Sequence, residues 1–72
     1  MNILRAEHIL RTYPNARGNK LADVYDDDDQ LRVVVNVLFP GFEYPDFSHK
    51  TLSELWAQYA QAKRALPGIP AP

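Results

Sequence analysis

The chain has 72 residues, a formal net charge of −1 and no cysteine. That length allows one domain at most, and a chain this small buries only about 60% of the surface it exposes when unfolded. Without cysteine it can form no disulfide and offer no thiolate to zinc, which fits a reducing compartment. The opening residues place Arg5 and Glu7 inside what would be the apolar stretch of a signal peptide. No apolar run approaches the ~20 residues of a membrane span. The expected setting is soluble and intracellular.

Charge is blocked along the chain. Residues 1–20 carry Arg5, Arg11, Arg17 and Lys20 against Glu7, whereas residues 21–30 carry only aspartates. Lys50, Lys63 and Arg64 face Glu54 in residues 48–72. Such asymmetry makes a surface dipole able to steer a charged partner.

From the N-terminus, Ile3, Ala6, Leu10 and Tyr13 recur at helical spacing. They predict an amphipathic helix of about three turns, capped by Asn2 and stopped by Pro14. Asn15 to Asn19 reads as a turn, with Gly18 able to take a positive φ. Two strands are expected next: Lys20–Tyr25, and Gln30–Phe39 with its run of valines. Under period-two alternation Leu31, Val33, Val35, Val37 and Phe39 share one face, and β-branched residues suit a pleated surface. Asp26, Asp27, Asp28 and Asp29 would then form the turn of a hairpin.

Pro40-Gly41 ends this segment, and Phe42 to Phe47 forms an aromatic loop. Thr51-Leu52-Ser53-Glu54 matches a capping box that opens a second helix. Its apolar stripe is Leu52, Leu55, Trp56, Tyr59 and Ala60, with Leu66 as a later apolar position. Lys63 and Arg64 sit where they complement the helix dipole. Residues 67–72 are rich in proline and read as a disordered or polyproline-like tail. The expected architecture is α+β: a single αββα domain over 1–66, its antiparallel hairpin packed on helices, followed by the tail.

No catalytic pattern emerges. His8 and His49, with Ser48 beside the latter, read as surface histidines, because adjacent residues rarely point the right way for nucleophilic catalysis and no nucleophile-elbow or similar pattern surrounds them. Asp26–Asp29 lacks the alternating ligands, the glycine at six and the glutamate at twelve of an EF-hand loop, and reads as a solvated acidic turn. No glycine-rich loop runs into a helix to cradle phosphate. The expectation is no enzyme, no metal and no cofactor. For nucleic acid, Arg5, Arg11, Arg17 and Lys20 supply charge, and Phe42, Tyr44 and Phe47 supply rings for stacking. No recognition signature accompanies them, and the aspartates would repel a phosphate backbone, which argues against direct binding.

A protein partner remains. Three surfaces suit it: Arg5, His8 and Arg11 on the first helix; Asp26 to Asp29, able to mimic phosphate; and Tyr44 at the centre of the aromatic loop. Phe42 and Phe47 more readily fold back over the core, and Trp56 reads as a core anchor. In its short length, basic start Met1–Arg11, acidic Asp26–Asp29 and valine segment, the chain resembles the small host-takeover proteins of phages. Within that group it is most similar to the transcription regulators of the kind a lytic Xanthomonas phage makes. The resemblance implies binding to the large subunits of bacterial RNA polymerase, block of initiation, antitermination, and a place in the host cytoplasm. A monomer is expected when free. Two other functions fit the same residues: inhibition of a host nucleic-acid enzyme or defence complex by the acidic turn, and self-association through an exposed strand edge.

Overall fold

The computed structural model describes residues 1–64. Among them every regular element is helical: α1 (Ile3–Arg11), α2 (Leu21–Val24), α3 (Asp29–Leu38), α4 (Tyr44–Phe47) and α5 (Leu52–Arg64), with a single 3-10 turn over Tyr25–Asp27. The expected α+β hairpin is therefore corrected to an all-helical arrangement. The only β-type pairing among the described residues is one isolated antiparallel bridge, Lys20 with Thr51. Leu66 and the tail expected over residues 67–72 lie outside the described residues, as does the far end of the 1–66 domain.

Residues 29–38 decide the fold class. Leu31 and Val35 satisfy both periods, since they are four residues apart. The other two anchors decide. Val34 and Leu38 are buried with Leu31 and Val35, whereas Val33 is 44% exposed. That is the i, i+3, i+4, i+7 stripe of a helix, with Val33 turned outward. A local signal supports it: the Asp28 carboxylate accepts the Leu31 N–H at 3.0 Å, and Asp29 occupies the first turn. The β-branched side chains disfavour a helix by only about 0.5 kcal/mol each, which capping and burial offset. The other expected strand, Lys20–Tyr25, becomes α2 and the 3-10 turn. There the Asp23 carboxylate accepts the Lys20 N–H at 2.7 Å and starts a helical turn. Asp26 and Asp27 thus lie in the 3-10 turn and not at the tip of a hairpin.

α1 and α5 form where periodicity and caps place them. Asn2 accepts the Arg5 N–H at 2.8 Å, and the helix ends two residues before Tyr13, ahead of Pro14. At α5, Thr51 Oγ1 accepts the Glu54 N–H at 3.1 Å while Glu54 accepts the Thr51 N–H at 2.7 Å, closing the capping box. The turn after α1 departs in one detail. The positive φ of 53° falls on Asn15, a residue that tolerates it, and not on Gly18. After α3 the positive φ falls on Gly41, at 74°, where the chain reverses.

The core consists of Ala6 and Leu10 from α1, Leu21 from α2, Leu31, Val34, Val35 and Leu38 from α3, and Leu52 and Leu55 from α5. α1 and α3 run antiparallel. Tyr13, beyond the end of α1, donates its hydroxyl to Asp28 at the start of α3 at 2.8 Å. At the opposite end, Ile3 of α1 and Val37 of α3 line one groove. α5 is tied to α1 by Glu7, whose Oε2 accepts the Tyr59 hydroxyl at 2.6 Å and the Lys63 ammonium at 2.7 Å. The connections knit together through backbone bonds from Leu21 N to Lys50 O at 2.9 Å and Leu52 N to Asn19 O at 3.1 Å.

Candidate functional site

The aromatic residues organise one end of the molecule. Of the eight aromatic side chains, only Tyr13 stands apart. The others form a continuous chain of rings. Tyr44 lies 4.8 Å from Tyr25, Tyr25 5.8 Å from Phe42, and Phe42 5.1 Å from Phe47. Phe47 meets Phe39 edge-on at 4.9 Å, Phe39 meets Tyr59 at 6.0 Å, and Tyr59 lies 5.7 Å from Trp56. Edge-to-face and offset contacts of this kind contribute about 0.5–1.5 kcal/mol each beyond area burial. The local sequence dictates the path. Gly41 reverses the chain, Pro45 lies in the first turn of α4, and that short helix returns Phe47 to the end of α3.

Four of these rings, Phe39, Phe42, Phe47 and Tyr59, line a groove of about 470 Å³. Its floor and sides include Val37, Phe39, Phe42 and Phe47, closed on the other side by Ile3, Tyr59 and Ala62. Ile3 is 55% exposed and Phe39, Phe42 and Phe47 are half-buried, so apolar surface faces the opening. Glu43 and Asp46 stand on the α4 rim, both exposed and without an ion-pair partner among the described residues. On the α5 rim Lys63 is already engaged by Glu7 at 2.7 Å. Lys63 and then Tyr59 hold the Glu7 carboxyl below its usual range, while burial and the Glu7 contact push the Tyr59 hydroxyl up to about 12. The groove is thus apolar inside and carries uncompensated negative charge on one lip.

The surfaces expected from sequence are dispersed around this feature. Arg5, His8 and Arg11 lie exposed on the outer face of α1, with Arg11 Nη2 3.3 Å from His8 Nδ1. The four aspartates are divided. Asp28 is used internally, capping α3 and accepting the Tyr13 hydroxyl, and these contacts lower its carboxyl pKa. Asp29 pairs with Arg32, whose guanidinium also donates to the Tyr25 carbonyl at 2.6 Å. Only Asp26 and Asp27 are exposed without a partner among the described residues. A phosphate-like run of four is therefore reduced to two free carboxylates. Tyr44 is half-buried against Tyr25 and belongs to the ring chain, not to a free loop centre. Phe42 and Phe47 pack back against the core as expected, and Trp56, also half-buried, packs against the core too.

Sequence reasoning missed Ile3, Val37, Phe39, Tyr59 and Ala62 as site residues. Placing 30–39 in a strand removed Val37 and Phe39 from the end of a helix. The density of rings between Phe39 and Phe47 was the available signal. Among the described residues no cluster of three or more His, Cys, Asp or Glu could hold a metal ion. No described helix is long and apolar enough to cross a membrane. The chain matches no protein-family model, and comparisons with curated proteins and with solved structures return no similar chain. The strand edge on which self-association was to rest is absent from the described residues.

Proposed function

We propose that the protein is a small regulator that works by docking on another protein. The partner that the sequence resemblance points to is bacterial RNA polymerase, with blocked initiation and antitermination as the outcome. The observation that carries the docking half is the open groove. It is a concave surface walled by rings, the residue type enriched where binding energy concentrates. Among the described residues none covers Phe39 and Phe42 fully: both are half-buried and line the groove together with Ile3. The polymerase half is supported by the resemblance in size, basic start and acidic segment. Arg5, His8 and Arg11 supply a second, charged face on the outside of α1.

The test uses the full chain carrying a small affinity tag, incubated with purified polymerase core and holoenzyme. The comparison is Ala62→Trp, which fills the groove from an exposed helix position without touching the core. The expected result is stoichiometric co-elution and reduced promoter-directed synthesis, both lost in the variant. Co-elution equal for both chains would remove the groove as the docking surface. No co-elution of the natural chain would remove polymerase as the partner.

A further inference from the structure

We infer that the groove takes a protein segment presenting apolar side chains flanked by lysine or arginine, with Glu43 and Asp46 reading the basic flank. The inference rests on the docking role proposed above and specifies what the partner must offer. Three features of the site lead to it. The walls are formed largely by Phe39, Phe42, Phe47 and Tyr59, and the charged lining residues are Glu43, Asp46 and Lys63, so a side chain seated against the rings must be apolar. At about 470 Å³ the groove holds a few large side chains and not a folded domain. The charge on its lips is unequal. Lys63 is neutralised by Glu7 at 2.7 Å, leaving Glu43 and Asp46 exposed and unpaired among the described residues.

Those two carboxylates share one turn. The Asp46 N–H donates to the Glu43 carbonyl at 3.0 Å, which holds both side chains on the same short stretch of backbone. The lip is thus fixed to the same element, α4, that delivers Phe47 to the groove wall. A partner that seats an apolar side chain against Phe47 passes over Glu43 and Asp46 as it leaves the groove. A basic residue there meets complementary charge, and an acidic one meets repulsion. Rim charges of this kind act on specificity and association rate more than on total affinity. A second copy of this chain is a poorer occupant. Its exposed apolar residues at the N-terminus, Ile3 and Leu4, precede Arg5 but belong to a helix whose Ile3 already lines the groove.

The test is a set of three helix-forming peptides of equal length that share one leucine- and phenylalanine-bearing face. They are flanked respectively by lysine, glutamine or glutamate. Each is titrated into the isotopically labelled full chain at low and high salt, with backbone amide shifts recorded. The expected order is lysine over glutamine over glutamate, with roughly a five- to tenfold spread between the extremes at low salt that shrinks at high salt. Shifts are expected at Val37, Phe42, Phe47 and Ala62. In the Glu43→Gln, Asp46→Asn double variant the lysine preference is expected to disappear while apolar binding persists.

Equal binding of all three peptides in the groove would overturn the charge inference and leave the docking role standing. Shifts confined to another surface would overturn both. Concentration-dependent movement of the groove signals without peptide would make a second copy the occupant and overturn the inference. Movement of those signals in a Leu66→Ser, Ile69→Ser chain would make the chain's own residues 65–72 the occupant, with the same consequence.

Discussion

Asp28 uses both of its carboxylate oxygens, one within α3 and one across to the end of α1. One carboxylate oxygen caps α3 through the Leu31 N–H at 3.0 Å, and the other accepts the Tyr13 hydroxyl at 2.8 Å. Asp28→Ala is expected to destabilise the fold by about 2 kcal/mol, combining a lost cap with a lost hydrogen bond. Asp28→Asn should cost under about 1 kcal/mol, because asparagine also caps. Urea titration of the two variants measures both. The same contacts set a pH dependence. The Leu31 N–H and then the Tyr13 hydroxyl hold the Asp28 carboxyl below its usual range. Its contribution is therefore present above the ordinary carboxylate pKa and is lost as pH falls through the lower folded value. On the alkaline side, burial and the carboxylate partners raise Tyr13 and Tyr59 to about 12. For each tyrosine the stabilising contact is intact below the unfolded value near 10 and is lost as pH rises from there through about 12. Ultraviolet titration of tyrosinate should show a late component that Tyr13→Phe and Tyr59→Phe each reduce. Its absence would contradict both assignments.

α3 is where element identity can be tested directly, because strand and helix make opposite demands on neighbouring valines. A strand buries Val33 with Val35 and turns Val34 away. The helix buries Val34 and Val35 fully and leaves Val33 44% exposed. Val33→Ala is expected to leave stability unchanged or raise it by up to about 0.5 kcal/mol, since alanine is the better helix former. Val34→Ala should cost about 2 kcal/mol through lost burial and the cavity left behind. Thermal melts followed by far-ultraviolet circular dichroism provide the measurement, and the reverse order of effects would restore a strand. Much of α1 and α5 was legible beforehand. Asn2, Pro14 and the Thr51–Glu54 box are short-range signals whose partners lie within a few residues. The cap at Asp28 is a signal of the same kind, masked in the sequence by the three aspartates beside it.

At the scale of the whole molecule, a small core leaves little reserve. Among the described residues nine side chains are buried, and they come from α1, α2, α3 and α5. A chain of this length has a net stability of about 5 kcal/mol, and one buried leucine cut to alanine removes about 2–5 kcal/mol. Leu31→Ala or Leu55→Ala alone is expected to leave a marginal fold, and the two together should unfold the chain at room temperature, as read by circular dichroism and amide dispersion. A folded double variant would mean that the ring chain from Tyr44 to Trp56 stabilises more than the aliphatic core. The backbone bonds between residues 16–22 and 48–53 bring distant parts of the chain together. The amides of Leu21 and Leu52 should therefore exchange only on global unfolding.

By itself the sequence determined what depends on near neighbours. It set the N-terminal caps of α1 and α5, the end of α1 before Pro14, the break at Pro40-Gly41, the inward packing of Phe42 and Phe47, and the lack of any thiol chemistry. Only the tertiary structure decided the nature of residues 29–38. Leu31 and Val35 fit both periods, and the choice depends on whether a partner strand or a pair of helices covers them. Tertiary packing also decided the fate of the acidic run. Asp28 is engaged by Tyr13 because α1 packs against α3, whereas the Leu31 amide for Asp28 and Arg32 for Asp29 are partners three residues away that come into reach once 29–38 is a helix. The groove is the furthest from local reading. Its walls come from Ile3, the Val37–Phe47 stretch and α5, and only the antiparallel packing of α1 on α3, with α5 alongside, brings them to one place.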